Sequence, residues 1–169
     1  DGRLWATASE NIIIRNGEMK DGHGGVVIGS EISGGCRNVF AENNKMDSPN
    51  LDRVVRIKTN PCRGGVIENI YCRNIEVGQC REAVLRINLD YERNEICCRG
   101  FNPVVRNVNL ENVTCNKSKY GVQIIGLDNL TNVYDINLKN CKFDGVADGN
   151  SITGLTKNVK FDNVLINGN

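Results

Sequence analysis

The apolar and polar positions of this chain repeat. One six-residue phrase recurs: Asn or Asp, then Ile or Val, any residue, an apolar residue, any residue, Asn. It occurs at Asn11–Asn16, Asn38–Asn43, Asn69–Asn74, Asn107–Asn112, Asp135–Asn140 and Asn158–Asn163, with start-to-start spacings of 27, 31, 38, 28 and 23 residues. The second position is Ile12, Val39, Ile70, Val108, Ile136 and Val159 in turn, and the fourth is Ile14, Ala41, Cys72, Leu110, Leu138 and Phe161. Three residues past the closing Asn comes another apolar side chain: Met19, Met46, Val77, Cys115, Phe143 and Ile166. Period two within the phrase predicts a strand whose alternate residues point inward. The alternation slips at the closing Asn, which predicts a bend there, because Asn is second only to Gly in tolerating left-handed backbone. A unit this short cannot bury its apolar face alone, so successive units must stack. The pattern therefore predicts an all-β fold, a parallel β-helix with coils about 4.8 Å apart. Stacked Asn amides would form a hydrogen-bonded ladder. Variable spacing and the lack of a leucine period oppose leucine-rich repeats.

A second apolar run marks each early coil: Val26-Val27-Ile28-Gly29-Ser30, Val54-Val55-Arg56-Ile57-Lys58 and Val84-Leu85-Arg86-Ile87-Asn88. Ile28, Ile57 and Ile87 are 29 and 30 residues apart, one coil each. Alternation then turns these isoleucines inward and places Arg56, Lys58, Arg86 and Asn88 outward on one face. Val27 and Gly29 lie one coil from Arg56 and Lys58, and Gly29 is expected to leave open space beside Lys58. This describes a cleft floor with cationic walls.

Composition narrows the function classes. The 169 residues carry 21 Lys+Arg against 20 Asp+Glu, a net charge of +1, which argues against nucleic acid or an anionic membrane as partner. No apolar run approaches the roughly 18 residues a membrane span needs, and no basic-then-apolar leader opens the chain. The 25 Asn and 5% aromatics oppose a helical bundle. The eight cysteines include no CxxC pair, and one His leaves little for zinc, so neither metal nor cofactor is expected. Disulfides and buried thiols both remain open, with burial favoured because Cys72 and Cys115 fall at inward positions and Cys141 follows a ladder Asn.

Three features carry candidate chemistry. His23, the one imidazole, sits in Gly22-His23-Gly24, where small neighbours let a ligand approach; a glycine turn with a solvated His is the competing reading. Arg56 and Lys58 lie side by side on one sheet face. Parallel cations repel unless an anion bridges them, and a guanidinium beside an ammonium suits a sugar carboxylate. Tyr91, just past the next coil's strand, would stack on a sugar ring or pack on the coil edge. Asp1 reads as a loop residue rather than a catalytic acid, and Asp52 as the partner of a nearby cation.

Asp21-Gly22-His23-Gly24-Gly25-Val26-Val27-Ile28-Gly29-Ser30-Glu31, followed by Arg56-Ile57-Lys58-Thr59-Asn60, resembles the polygalacturonases, glycoside hydrolase family twenty-eight. The two motifs match in content and order, 33 residues apart from His23 to Arg56. Ser9–Asn16 and Arg63–Ile70 resemble its bacterial and plant-like branch, and the likeness covers roughly residues 1–90. The resemblance implies a right-handed β-helix and inverting hydrolysis of α-1,4-galacturonosyl bonds in pectin. His23 would tune the catalytic aspartates and help position the water or leaving group, and Arg56 and Lys58 would hold the substrate carboxylate. Secretion, to the cell exterior or periplasm, is implied as well.

Inversion needs a general acid and a general base roughly 6.5–9.5 Å apart. The family's Asn-Thr-Asp and Asp-Asp motifs, both upstream of Gly-His-Gly, do not occur in this sequence, and Asp47, Asp52 and Asp90 do not match their positions. Residues 1–169 are therefore expected to be one β-helix domain, the C-terminal part of such an enzyme, lacking its N-terminal coils. An open first coil would associate with the missing segment or with a second copy. A rhamnogalacturonan hydrolase, a non-catalytic uronate-binding module and a structural β-helix stalk are the alternatives.

Overall fold

The computed structural model describes residues 2–169; Asp1 lies outside them. A single helical turn, α1 (Gly2–Trp5), precedes the strands β1 (Ser9–Arg15), β2 (Glu18–Met19), β3 (Val26–Gly29), β4 (Cys36–Met46), β5 (Arg53–Lys58), β6 (Val66–Val77), β7 (Ala83–Asn88), β8 (Val104–Cys115), β9 (Tyr120–Ile125), β10 (Val133–Phe143), β11 (Ser151–Thr153) and β12 (Thr156–Ile166). One sheet runs β1-β4-β6-β8-β10-β12, with β2 also pairing β4, and the other runs β11-β9-β7-β5-β3. All pairings are parallel, so each coil contributes one long and one short strand to a right-handed parallel β-helix, as the repeat predicts.

The six phrases stack in register, Ile12 on Val39, Ile70, Val108, Ile136 and Val159. Left-handed backbone occurs at both ends of each phrase, not only at the closing Asn: the twelve residues have φ between 51° and 59°. Both bends carry ladders. Asn38, Asn69 and Asn107 each donate from Nδ2 to the amide oxygen of the preceding coil at 3.1, 3.1 and 2.8 Å. On the other row Asn74 and Asn112 do the same at 3.1 Å, and Asn163 at 2.8 Å. The first position needs Asn or Asp for the same reason as the last: no other side chain joins αL tolerance with a ladder amide or carboxylate.

Val39, Ile70, Val108, Ile136, Ala41, Leu110 and Leu138 are buried along the axis, as are Met46, Val77 and Phe143 beyond the second bend. Each such Val, Leu, Ile, Met or Phe side chain stabilises the coil by about 1.5–3 kcal/mol. The inward expectation fails at Phe161, which is 41% exposed, because β12 has a sheet neighbour on one side only. At the other end Ile12 and Ile14 are partly buried, and a cavity of about 180 Å³ opens among Ile12, Ile14, Val26, Ile28, Ile32 and Val39.

The cysteines divide as burial favoured, with one addition. Cys36, Cys72, Cys80, Cys115 and Cys141 are buried thiols, Cys98 is exposed, and Cys62–Cys97 is a disulfide. Desolvation pushes the Cys72 thiol up to about 12, which keeps it protonated and inert.

Candidate functional site

The short-strand sheet carries the site. Ile28 pairs Ile57 and Ile57 pairs Ile87, all three buried, so the 29- and 30-residue alignment holds and Val27, Arg56 and Arg86 share one row while Gly29, Lys58 and Asn88 share the next. Two details differ from the expectation. Gly29 leaves no open space beside Lys58: at φ 105° a Cβ would lie 1.8 Å from the Lys58 carbonyl oxygen, so glycine is there for close backbone approach. Asn88 is buried, and its Oδ1 accepts from the Asp90 backbone N–H at 2.9 Å, so it shapes the turn instead of facing a ligand.

His23, Arg56, Lys58 and Tyr91 do come together. Arg56 Nη1 donates to the His23 carbonyl oxygen at 3.3 Å. Lys58 Nζ lies 4.4 Å from the Tyr91 ring centre and donates to its hydroxyl at 3.3 Å, while the Arg56 guanidinium carbon is 5.8 Å from the same ring. Tyr91 is thus neither a free stacking platform nor a mere edge residue; its ring lies within cation–π range of both cations. Among the described residues no carboxylate pairs with Arg56 or Lys58. Arg56 Nε is shielded from solvent with no hydrogen-bond partner. The positive field is felt nearby: burial first, then the charge of Arg56, lowers the pKa of Arg53, and burial with Arg53 and Arg56 lowers that of Arg86. Arg86 is turned to the side, donating to Gln123.

Sequence reasoning missed the role of one residue. Gly22 bridges Leu51 in parallel, which sets His23 over Asp52 on the next coil. His23 Nδ1 lies 3.0 Å from Asp52 Oδ2. The imidazole is 86% exposed and the carboxylate side chain only 7%. Asp52 also pairs with Arg53 at 3.3 Å and with Arg81, so it takes the cations expected of it and the imidazole as well. Burial alone would raise its pKa; the His23 hydrogen bond and the charges of Arg81 and Arg53 overcome this and hold it below the usual aspartate range. The 29-residue period that aligns the isoleucines also links His23 to Asp52, so the signal was present.

The Tyr91 loop is fastened from below. Asn60, fully buried, donates to the Tyr91 carbonyl at 2.8 Å and to Glu95 at 2.6 Å, and Arg63 pairs with Glu92 at 2.7 Å and Glu95 at 3.1 Å. The Cys62–Cys97 bridge closes the same loop. The other candidate acids are engaged elsewhere: Asp47 accepts from Gln79 at 3.3 Å and Asp90 pairs with Arg93 at 2.5 Å. Among the described residues no cluster of three His, Cys, Asp or Glu side chains suits a metal ion, and no helix is long and apolar enough to cross a membrane.

The fold and site define a class of protein: a parallel β-helix with an imidazole and two unneutralised cations brought together beside its short-strand sheet. The chain belongs to glycosyl hydrolases family 28, whose family model matches residues 6–161. It is similar to an exo-poly-alpha-D-galacturonosidase of Dickeya chrysanthemi, 27% identical over 171 residues that cover 92% of this chain and 27% of that protein. It is also similar to the crystal structure of a hyperthermoactive exopolygalacturonase from Thermotoga maritima, with a TM-score of 0.86 and 37% identity over all of this chain and 37% of that one. The chain thus spans little more than a quarter to a third of the length of these relatives.

Proposed function

We propose that this chain is the substrate-gripping part of a pectin-degrading glycoside hydrolase that cleaves α-1,4-galacturonosyl bonds with inversion. The observation that carries the reading is the pair of cations, Arg56 and Lys58, held side by side around Tyr91 with no carboxylate of their own. A galacturonate carboxylate would neutralise both, with the guanidinium offering paired donors and the ammonium a point charge. His23, one coil away, would then stand beside the scissile bond with Nε2 free, since Nδ1 is committed to Asp52. The activities of the two relatives, an exo-poly-alpha-D-galacturonosidase and an exopolygalacturonase, favour galacturonan over other pectin chains.

An inverting reaction needs two carboxyl groups about 6.5–9.5 Å apart. Asp52 is the one carboxylate at His23, and two arginines and the imidazole hold it ionised. We infer that Asp52, engaged by two arginines and the imidazole, is neither the acid nor the base of this reaction. Such a reaction implies a location outside the cytoplasm, at the cell exterior or in the periplasm, where a pectin polymer would be met.

The experiment is a calorimetric titration of the chain with trigalacturonate, with neutral galactotriose as control. Binding of the uronate alone is expected, weakened about 10-fold or more in Arg56→Ala and in Lys58→Ala, each substitution removing a charge-assisted contact. Equal binding by the two single variants and the parent would dismiss the assignment. Uronate binding together with no hydrolysis when the remaining coils are supplied would favour a non-catalytic binding module, the second reading that the engaged state of Asp52 supports.

A further inference from the structure

A second group of cations gathers where the long strands turn into the short-strand sheet. Three turns stack there: 79–81 after β6, 117–119 after β8 and 145–147 after β10. The Cys80 N–H donates to the Lys117 carbonyl at 2.9 Å, and Ser118 bridges Val146 in parallel, its N–H donating to the Gly145 carbonyl at 3.3 Å. This stacking brings Arg81 of one coil and Lys117 and Lys119 of the next to a cavity of about 290 Å³. Among the described residues no carboxylate lines it. Lys117 forms no ion pair among those residues, and Lys119 has only Asp148 at 3.9 Å, with both side chains half exposed. Arg81 pairs with Asp52, which it shares with Arg53 and His23. Asp47 is engaged by Gln79, another wall residue, at 3.3 Å.

Ser118 supplies an independent sign of a ligand. It lines the cavity and is 4% exposed, and its Oγ is shielded from solvent with no hydrogen-bond partner. A buried hydroxyl left unpaired is costly, and native structures rarely keep one unless something else completes the bond. Pro49, Gly145 and Ala147 add an apolar wall that a bare inorganic ion would not use. Cations, a free hydroxyl and an apolar wall together match a sugar acid, with its carboxylate on the cations and its C–H face on the wall.

We propose that Arg81, Lys117, Ser118 and Lys119 form an accessory subsite for the carboxylate of a sugar acid, separate from the site of Arg56 and Lys58. The class of ligand rests on the uronate reading of that first site; the cavity and its cations do not. Ser118 Oγ donates to the carboxylate, and Lys117 brings a charge that no protein carboxylate neutralises. Arg81 adjoins the two sites, since it holds the Asp52 carboxylate on which His23 rests. A polymer with a carboxylate on every unit can occupy both, and attachment at two points raises its affinity above that of one unit.

The test is a saturation-transfer NMR titration with monogalacturonate at low micromolar protein and fixed ionic strength. Arg56→Ala/Lys58→Ala disables the first site, and binding of the sugar acid should persist in that protein. Adding Ser118→Ala should weaken the remaining binding about 3–10-fold, and adding Lys117→Gln/Lys119→Gln about 10-fold or more. Ser118→Ala removes a hydroxyl that has no partner in the fold, so Tm should stay at or above the parental value, which separates lost binding from lost structure. Abolition of all binding by Arg56→Ala/Lys58→Ala would overturn the accessory subsite and leave the first site standing; no effect of that pair, with loss in the Ser118 and lysine variants, would do the reverse. Undiminished binding in the Ser118 and lysine variants, or displacement of the sugar acid by equimolar sulfate, would also overturn the proposal.

Discussion

His23 Nδ1 lies 3.0 Å from Asp52 Oδ2, one coil of 29 residues away. The exposed imidazole thereby rests on a buried carboxylate that two arginines hold in place. An ionised carboxylate only accepts, so Nδ1 carries the proton and Nε2 faces the cleft. Since the chain has a single His, side-chain ¹⁵N spectra report this tautomer directly. Asp52→Asn should turn one dominant tautomer into a mixture; an unchanged spectrum would show that Asp52 does not orient the ring.

The same carboxylate sets an acid limit on stability. Its folded pKa is depressed, so its stabilising contribution is present above the ordinary aspartate range near pH 4 and is lost as pH falls through the lower folded value. Asp52→Ala should destabilise the fold by about 1–3 kcal/mol at pH 7, because the mostly buried Arg53 loses a counter-charge while Arg81 is largely exposed. The gap between variant and parent should narrow in urea melts run below pH 4.

Gly29 is required by the Lys58 carbonyl packed against it. Gly29→Ala introduces both a left-handed strain and a clash, so a loss of about 2–4 kcal/mol is expected, together with weaker uronate binding as the Lys58 strand shifts. Thermal melts and the titration above measure the two effects. A variant with parental Tm would mean that the close approach is not needed.

The ladder separates two roles of Asn. Asn74 has φ 54°, donates to Asn43 and accepts from Asn112. Asn74→Gly removes only the amide rung, at a cost of about 1 kcal/mol, whereas Asn74→Ala also strains the backbone and should cost about 1–2 kcal/mol more. Equal denaturation midpoints for the two variants would show that φ is not what selects Asn.

Both end coils expose apolar side chains: Ile13 is 63% exposed at one end, Leu155 45% and Phe161 41% at the other. Unpaired parallel edges flank them on β1 and β12. The 169-residue chain should therefore associate as its concentration rises, through an added coil or a second copy. Light scattering that returns the monomer mass throughout the micromolar range contradicts this.

Much of this protein is local and thus legible in one dimension. The Asn-bounded phrase encodes bend, inward face and rung together, because a parallel β-helix places each side chain over its equivalent one coil away. That periodicity sufficed for the fold class, for the Ile28–Ile57–Ile87 row, and for bringing His23, Arg56 and Lys58 to one face. What it left undecided depends on atoms between coils. The Lys58 carbonyl packed against Gly29 and the inward turn of Asn88 are set by atomic contacts between coils, and the Cys62–Cys97 bridge forms where a loop leaves the repeat. Their partners are chosen by packing and desolvation in three dimensions, terms that residue spacing does not carry.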